Sequence, residues 1–247
     1  MKLFISVINH NHDEMIVNNP TLKQLATQYW VILKSNTPAS QMLKEYCDIN
    51  QITILQGTKS RGFGANNNEV YKYAERHLDM QKKDFFLVIN PDVEISLDSI
   101  NQLLSDVTAL SADIAAINLF KDTQFTVYDN SIRHYPKPLT PLKSLLGLER
   151  KDYYNKVLIN TPTKIEWAAG SFLLFKAECY QFLQGFDENY FMYFEDADIC
   201  TRANNLGLTV MYFPKIEAIH LAAQNNRNLF SKHFKWYLRS LLRYHFK

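Results

Sequence analysis

Short apolar runs rich in β-branched and aromatic residues recur along the chain: Leu3–Ile8, Tyr29–Leu33, Ile52–Leu55, Phe85–Ile89, Ile114–Leu119 and Leu208–Phe213. Longer, helix-compatible stretches separate the early ones, around residues 13–28, 38–49, 63–79 and 96–110. Strands alternating with helices predict an α/β fold, a mostly parallel central sheet flanked by helices. In such sheets ligands gather beyond the carboxyl ends of the strands. The segments found there are polar: Asn9-His10-Asn11, Ser35-Asn36-Thr37-Pro38, Ser60-Arg61-Gly62-Phe63-Gly64 and Asn90-Pro91-Asp92. Residues 121–163, with Pro136, Pro138, Pro141, Gly147 and Pro162, have weak periodicity and predict a long excursion over the site.

A chain of 247 residues with 47% hydrophobic content can build one sizeable core, which favours a single domain. Cys47, Cys179 and Cys200 are odd in number and unpatterned, which fits a reducing compartment rather than a disulfide scaffold or zinc site. Leu3–Ile8 is too short for a signal peptide, and no apolar stretch is long enough to span a bilayer. The expectation is a soluble, cytoplasmic protein with any membrane contact peripheral.

Charge divides the chain further. Residues 227–247 hold six bases and no acid, against a net charge of +2 overall, so residues 1–226 carry −4. On a helical wheel Phe230, Phe234, Tyr237, Leu238, Leu241 and His245 share one face, and Lys232, Lys235, Arg239, Arg243 and Lys247 the other. Trp236 and Phe246 fall among the bases, as suits a lipid headgroup layer. This C-terminal amphipathic helix is expected to meet an anionic membrane surface, or else to dock on the body. The acidic body argues against nucleic acid.

Each candidate motif has a structural and a chemical reading. Asp92, at a strand tip stiffened by Pro91, is either a cap for the helix starting near Ser96 or a hard-cation ligand. Arg61-Gly62-Phe63-Gly64 is a turn into a helix whose amino end favours anions, yet such glycine turns are common. Trp167-Ala168-Ala169-Gly170 is either a sugar platform or a core strand with a tight turn. Glu195, Asp196 and Asp198 follow an aromatic run and suit a helix start. Asp198 stands four residues before Arg202, a helix-surface pair. Asp196 falls on another face, where it is either solvated or a general base whose pKa its like-charged neighbours raise. His220 is either a satisfied structural histidine or a metal ligand.

Taken in order, these motifs resemble glycosyltransferase family 2, especially its bacterial rhamnosyltransferase branch, over essentially the whole chain. The resemblance rests on Arg61-Gly62-Phe63-Gly64 with Asn67-Asn68, Asn90-Pro91-Asp92, Trp167-Ala168-Ala169-Gly170, Gly185-Phe186-Asp187-Glu188 through Cys200, and His220. It implies a GT-A fold, with residues 1–226 as catalytic domain and 227–247 as basic tail. It further implies Asp196 as catalytic base and a divalent metal, manganese or magnesium, held by Asp92 and His220. Asn9, Asn11, Asn36, Arg61, Asn68 and Asn90 fall where the donor nucleotide is contacted. Trp167, Gly170 and Glu195 fall on the acceptor side, near the 121–163 excursion. Ser35 departs from the acid usual before Asn36, and the role of Glu166 is open.

The implied reaction is an inverting transfer from dTDP-rhamnose to a saccharide or polyprenyl-diphosphate-linked acceptor in surface polysaccharide synthesis. Alternatives are another donor such as a UDP-hexose, or a non-catalytic nucleotide- or carbohydrate-binding module. The glycine- and lysine-bearing signature of a sugar-nucleotide pyrophosphorylase is absent after the first strand.

Overall fold

The computed structural model describes residues 1–57, 59–137, 152–221 and 232–247. Pro138, Pro141, Gly147, Arg227 and Phe230 of the sequence reading lie outside the described residues. The strands are β1 (Leu3–Asn9), β2 (Trp30–Ser35), β3 (Thr53–Gln56), β4 (Phe85–Ile89), β5 (Val93–Glu94), β6 (Ile114–Phe120), β7 (Ile132–Arg133), β8 (Thr163–Lys164), β9 (Trp167–Ala168), β10 (Phe172–Lys176) and β11 (Val210–His220). The helices are α1 (Asp13–Asn18), α2 (Pro20–Leu25), α3 (Gln41–Ile49), α4 (Phe63–His77), α5 (Leu97–Leu110), α6 (Ala177–Phe182), α7 (Glu195–Asn205) and α8 (Lys232–Phe246).

The main sheet runs β3-β2-β1-β4-β10-β6-β11-β5. Its left half is parallel, as is the β6/β11 pair. Between the two lies β10, antiparallel to both β4 and β6. Phe172–Phe175 is buried throughout, so its sequence carries no alternation from which a direction can be read. The reversal brings its amino end, Gly170-Ser171, to the edge where β1, β2, β4, β6 and β11 end.

Alternating strand residues feed two cores, as the pleat requires. Leu3, Ile5 and Val7 pack with Ile16, Leu22, Leu43, Ile100 and Leu103 from α1, α2, α3 and α5. Phe4, Phe86 and Phe175 pack with Val70, Tyr71, Tyr180, Ile199 and Cys200 from α4, α6 and α7. Helices therefore cover both faces of one domain. Ser96 caps α5, its side chain accepting from the Ser99 N–H, so the helix cap is not Asp92.

The C-terminal helix is docked. Trp236 lies 4.6 Å from Phe191, ring to ring, rather than among headgroups. Tyr237 and Tyr244 lie 5.4 and 5.6 Å from Phe194, and Ser240 Oγ donates to the Met192 carbonyl at 2.8 Å. Two bases expected on the solvated face reach back instead: Arg243 and Lys247 approach Asp187 at 3.1 and 2.8 Å. Lys247 also meets Asp198 at 3.1 Å. Leu238, Leu242 and Phe246 face outward with Lys235 and Arg239. No helix among the described residues is long and apolar enough to cross a membrane.

Burial works against the Asp187 carboxylate, but bonds from Lys247, the Asn189 backbone and Arg243 hold its pKa well below the carboxylate range. Folding therefore favours its ionised form. That contribution is present above the unfolded pKa of about 3.9 and fades as pH falls below it toward the folded value. Arg243→Gln is expected to lower the melting temperature near neutral pH, with the gap to the parent narrowing below about pH 4. Thermal melts across that range check it.

Candidate active site at the sheet edge

Antiparallel pairing of β5 with the end of β11 sets Val93 opposite His220. The Leu221 N–H also donates to the Asp92 carbonyl at 3.3 Å. Asp92 Oδ1 thus lies 3.4 Å from His220 Nε2, and it is buried without a hydrogen-bond partner. The ring's other nitrogen, Nδ1, lies 2.6 Å from Asp129 Oδ2. Burial opposes a charged imidazole, yet the Asp129 hydrogen bond and the charges of both carboxylates push its pKa up to about 9. Burial would raise both carboxyls, but His220 holds Asp92 and Asp129 below their usual range.

A bare carboxylate oxygen beside an imidazole nitrogen is a donor set for a divalent cation. Two ligands about 2.1 Å from one ion, near a right angle, are about 3 Å apart, close to the separation found. Among the described residues no group of three or more His, Cys, Asp or Glu side chains is arranged for a metal. The pair fits a cation completed by other ligands, as magnesium is by substrate phosphates.

A second carboxylate site opens α7. Tyr193 and Phe194 both adopt left-handed backbone, φ 70° and 68°, a strain of about 1–3 kcal/mol each for such residues. The turn they make delivers Glu195 and Asp196. Asp196 accepts from the Gly170 N–H at 3.0 Å and from the Ala197 N–H at 2.8 Å. Burial raises its pKa against those bonds and the Arg133 guanidinium. Burial and the neighbouring Asp196 raise Glu195 much further, and its Oε2 has no partner. Both carboxyls are thus biased toward the neutral form, and of the two only Asp196 has the Gly170 and Ala197 amide hydrogen bonds and the guanidinium that favour its ionised form. Asp198 pairs with Arg202 at 2.8 Å as expected, but in a buried setting.

The two sites are joined through one turn. The Asn90 N–H donates to the Ser171 carbonyl at 2.9 Å, one residue from the Gly170 N–H that holds Asp196. A Cβ on Gly170 would stand 3.0 Å from the Phe63 ring, which would have to give by a few tenths of an ångström.

Of the expected nucleotide contacts, Asn11 is exposed at the tip of β1 and Arg61 is exposed beside Asn36. Asn36 ties the β2 tip to that loop, donating to the Arg61 carbonyl at 3.0 Å and accepting from its N–H at 2.8 Å. Two of the expected contacts are engaged within the protein. Asn9 is buried, its amide donating to Asp13 at 2.7 Å and Ser35 at 2.8 Å and accepting from His12 at 2.9 Å. Asn68 is buried too, donating to the Phe186 carbonyl and Glu188, and accepting from Tyr180 and the Phe186 N–H. Both are fasteners with no donor left for a nucleotide. Gly62 and Gly64 likewise admit the 186–191 segment, since added Cβ atoms would meet Phe191 backbone at 2.3 Å and Phe186 at 2.7 Å. Glu166 holds the excursion, bonding His134 Nδ1 at 2.8 Å and the Tyr135 N–H.

No protein-family model matches the chain. It is 29% identical over 242 residues to the Rhamnosyltransferase WbbL of Escherichia coli K12, spanning 98% of this chain and 92% of that protein. It is 31% identical over 149 residues, 58% of this chain and 48% of the relative, to the N-acetylglucosaminyl-diphospho-decaprenol L-rhamnosyltransferase of Mycobacterium tuberculosis. The fold matches the crystal structure of GalNAc-T7 with UDP, GalNAc and Mn2+ at a TM-score of 0.64 and 14% identity, over 98% of this chain and 48% of that one. It also matches S. aureus TarS 1-349 in complex with UDP-GlcNAc at a TM-score of 0.55 and 16% identity, over 91% and 62%. The chain is a glycosyltransferase similar to the family 2 rhamnosyltransferases. Its fold is GT-A.

In this glycosyltransferase, Asp196 lines a cavity of about 170 Å³ together with Arg133, Trp167, Tyr193, Tyr237 and Leu241. Arg133, which the sequence reading did not single out, lies 5.2 Å from the Trp167 ring and 5.1 Å from Tyr153. It reaches the site because β7 pairs with β9, a long-range contact without a local signal. Tyr237 and Leu241 come from α8, so the C-terminal helix forms part of the wall beside Asp196 rather than only a tail. The indole N–H of Trp167 is spent on the His134 carbonyl at 2.8 Å, leaving the ring face toward Arg133.

Replacing Asn68 by alanine leaves the Tyr180 hydroxyl and the Phe186 N–H without their shared acceptor. A loss of about 1–3 kcal/mol is expected from such buried orphans, with donor affinity unchanged in the folded protein. Denaturant titration and nucleotide binding on one preparation check both halves.

Proposed function

We propose that the chain is an inverting, metal-dependent glycosyltransferase that moves L-rhamnose from dTDP-rhamnose onto a saccharide or lipid-diphosphate-linked acceptor in surface polysaccharide synthesis. The observation that carries this reading is the joining of the Asp92–His220 pair and of Asp196 to one turn, Gly170-Ser171. Rhamnose follows the E. coli and M. tuberculosis relatives' names, and the lipid-diphosphate acceptor the latter's.

Asp196 accepts the acceptor hydroxyl's proton as that oxygen attacks the anomeric carbon from the face opposite the nucleotide. The bond to the nucleoside diphosphate breaks in the same displacement, inverting the configuration. Asp92 and His220 hold a manganese or magnesium ion, which when bound neutralises charge on the leaving diphosphate. Asn11, Asn36, Arg61 and Asn90 border the nucleotide. Trp167, Gly170 and Glu195 shape the acceptor side, where Arg133 and the exposed Lys137 suit a diphosphate. Residues 1–226 carry the reacting groups, and 227–247 supply the docked helix. The outer face of that helix, Leu238, Leu242 and Phe246 among Lys235 and Arg239, suits peripheral contact with an anionic membrane from the cytoplasmic side.

The purified protein, offered dTDP-rhamnose and UDP-hexoses with and without chelator, should transfer rhamnose only with metal. NMR of the product should show an inverted anomeric centre; a retained centre, or full transfer in chelator, refutes the mechanism. Asp196→Asn should bind donor and lose about 10²–10⁴ in kcat. Asp198→Asn should act on stability through Arg202 and Lys247, so exchanged phenotypes would assign the base to Asp198.

A further inference from the structure

We infer that Asp129 is a positioning residue for His220, holding the imidazole so that Nε2 faces Asp92 as a metal ligand. The inference rests on the proposed metal site and concerns a residue that neither the motifs nor the relatives single out. Its geometry is explicit: Asp129 Oδ2 stands 2.6 Å from Nδ1, and Asp92 Oδ1 stands 3.4 Å from Nε2 on the ring's other side. A carboxylate only accepts hydrogen bonds, so the close contact at Nδ1 requires the proton on that nitrogen. A cation taken up between Nε2 and the bare Asp92 oxygen would then displace only the Nε2 proton, while Asp129 keeps the one on Nδ1. Asp129 is not a ligand of the same ion, because the imidazole stands between it and Asp92.

The carboxylate is itself fixed. The Asp129 N–H donates to the Leu119 carbonyl at 2.8 Å, at the end of β6. That carbonyl also accepts from Lys156 Nζ at 3.2 Å, and the same ammonium donates to Ser131 Oγ at 3.0 Å. Lys156 is buried, and its charge falls near Asp129. The excursion after β6 is thereby pinned to the sheet by a buried cation, and its acid is aimed at the histidine that ends β11. A carboxylate behind a ligating histidine fixes the ring's tautomer and orientation and strengthens it as a ligand.

Asp129→Asn keeps the shape but allows the amide to donate to Nδ1, which moves the ring proton to Nε2. The expected result is about 10–100-fold weaker Mn2+ binding, read by electron paramagnetic resonance of free Mn2+ in titrations with the metal alone and with dTDP. Affinity within about twofold of the parent, in a variant that melts normally, overturns the inference. A second measurement uses the unmutated protein loaded with Mg2+ and dTDP: 15N-histidine spectra should show His220 protonated at Nδ1. Protonation at Nε2 overturns the inference even if the variant does not fold. Parent protein that binds no Mn2+ overturns the metal reading as well, whereas equal binding by parent and variant overturns only the role of Asp129.

Discussion

The site depends on the turn that enters β10. Its three residues are tied to three different elements: the Ala169 N–H to Ser131 at 2.7 Å, the Gly170 N–H to Asp196 at 3.0 Å and the Ser171 carbonyl to Asn90 at 2.9 Å. Two of these bonds join backbone to backbone, so chain geometry fixes the turn, and in the third the fixed Gly170 amide donates to the Asp196 side chain. The glycine at the centre of the turn lets the Phe63 ring close over it, where a Cβ would stand 3.0 Å from that ring. The antiparallel course of β10 is what brings this turn to the ligand edge of an otherwise parallel arrangement. A parallel strand there would present its carboxyl end instead, and Asp196 would lose the amide that orients it.

Around that turn the fold sorts its acids into two electrostatic settings. Asp92 and Asp129 share one imidazole, and both are kept ionised by it. Glu195 and Asp196 sit side by side in the protein with backbone amides and a guanidinium as compensation, and both are pushed toward the neutral form. Environments that drive carboxyls in opposite directions assign acid–base roles. One pair is suited to hold positive charge, the other to exchange a proton. The left-handed backbone at Tyr193 and Phe194 is the strained turn that leads directly into this second pair.

Much of this was legible in the chain, and the exceptions share a cause. Buried runs such as Phe85–Ile89 announce strands by apolar content alone, and Asp92, Asp196 and His220 stand at element ends where ligands collect. What local pattern does not encode is long-range pairing. The direction of β10, the approach of Arg133 through β7 and β9, and the arrival of Asp129 beside His220 all join residues distant in sequence. The same limit explains Asn9 and Asn68. An asparagine beside a strand tip or in a helix near a glycine turn has the chemistry of a nucleotide contact, but burial spends its amide inside the protein. The tail was legible as amphipathic, yet its partner, the aromatic segment Phe191–Phe194, could not be read from the helix itself.

The docked helix shows how an amphipathic segment can serve a site and a surface together. A helix of 15 residues presents more than two faces. Tyr237, Leu241 and Tyr244 take the inward stripe, where dispersion and ring contacts with Phe194 hold them. Arg243 and Lys247 are drawn to one side by Asp187, which is why the basic face is narrower than a wheel suggests. That leaves Leu238, Leu242 and Phe246 facing outward. Because Tyr237 and Leu241 also line the cavity beside Asp196, one helix diameter, about 10 Å, separates that cavity from the outer stripe.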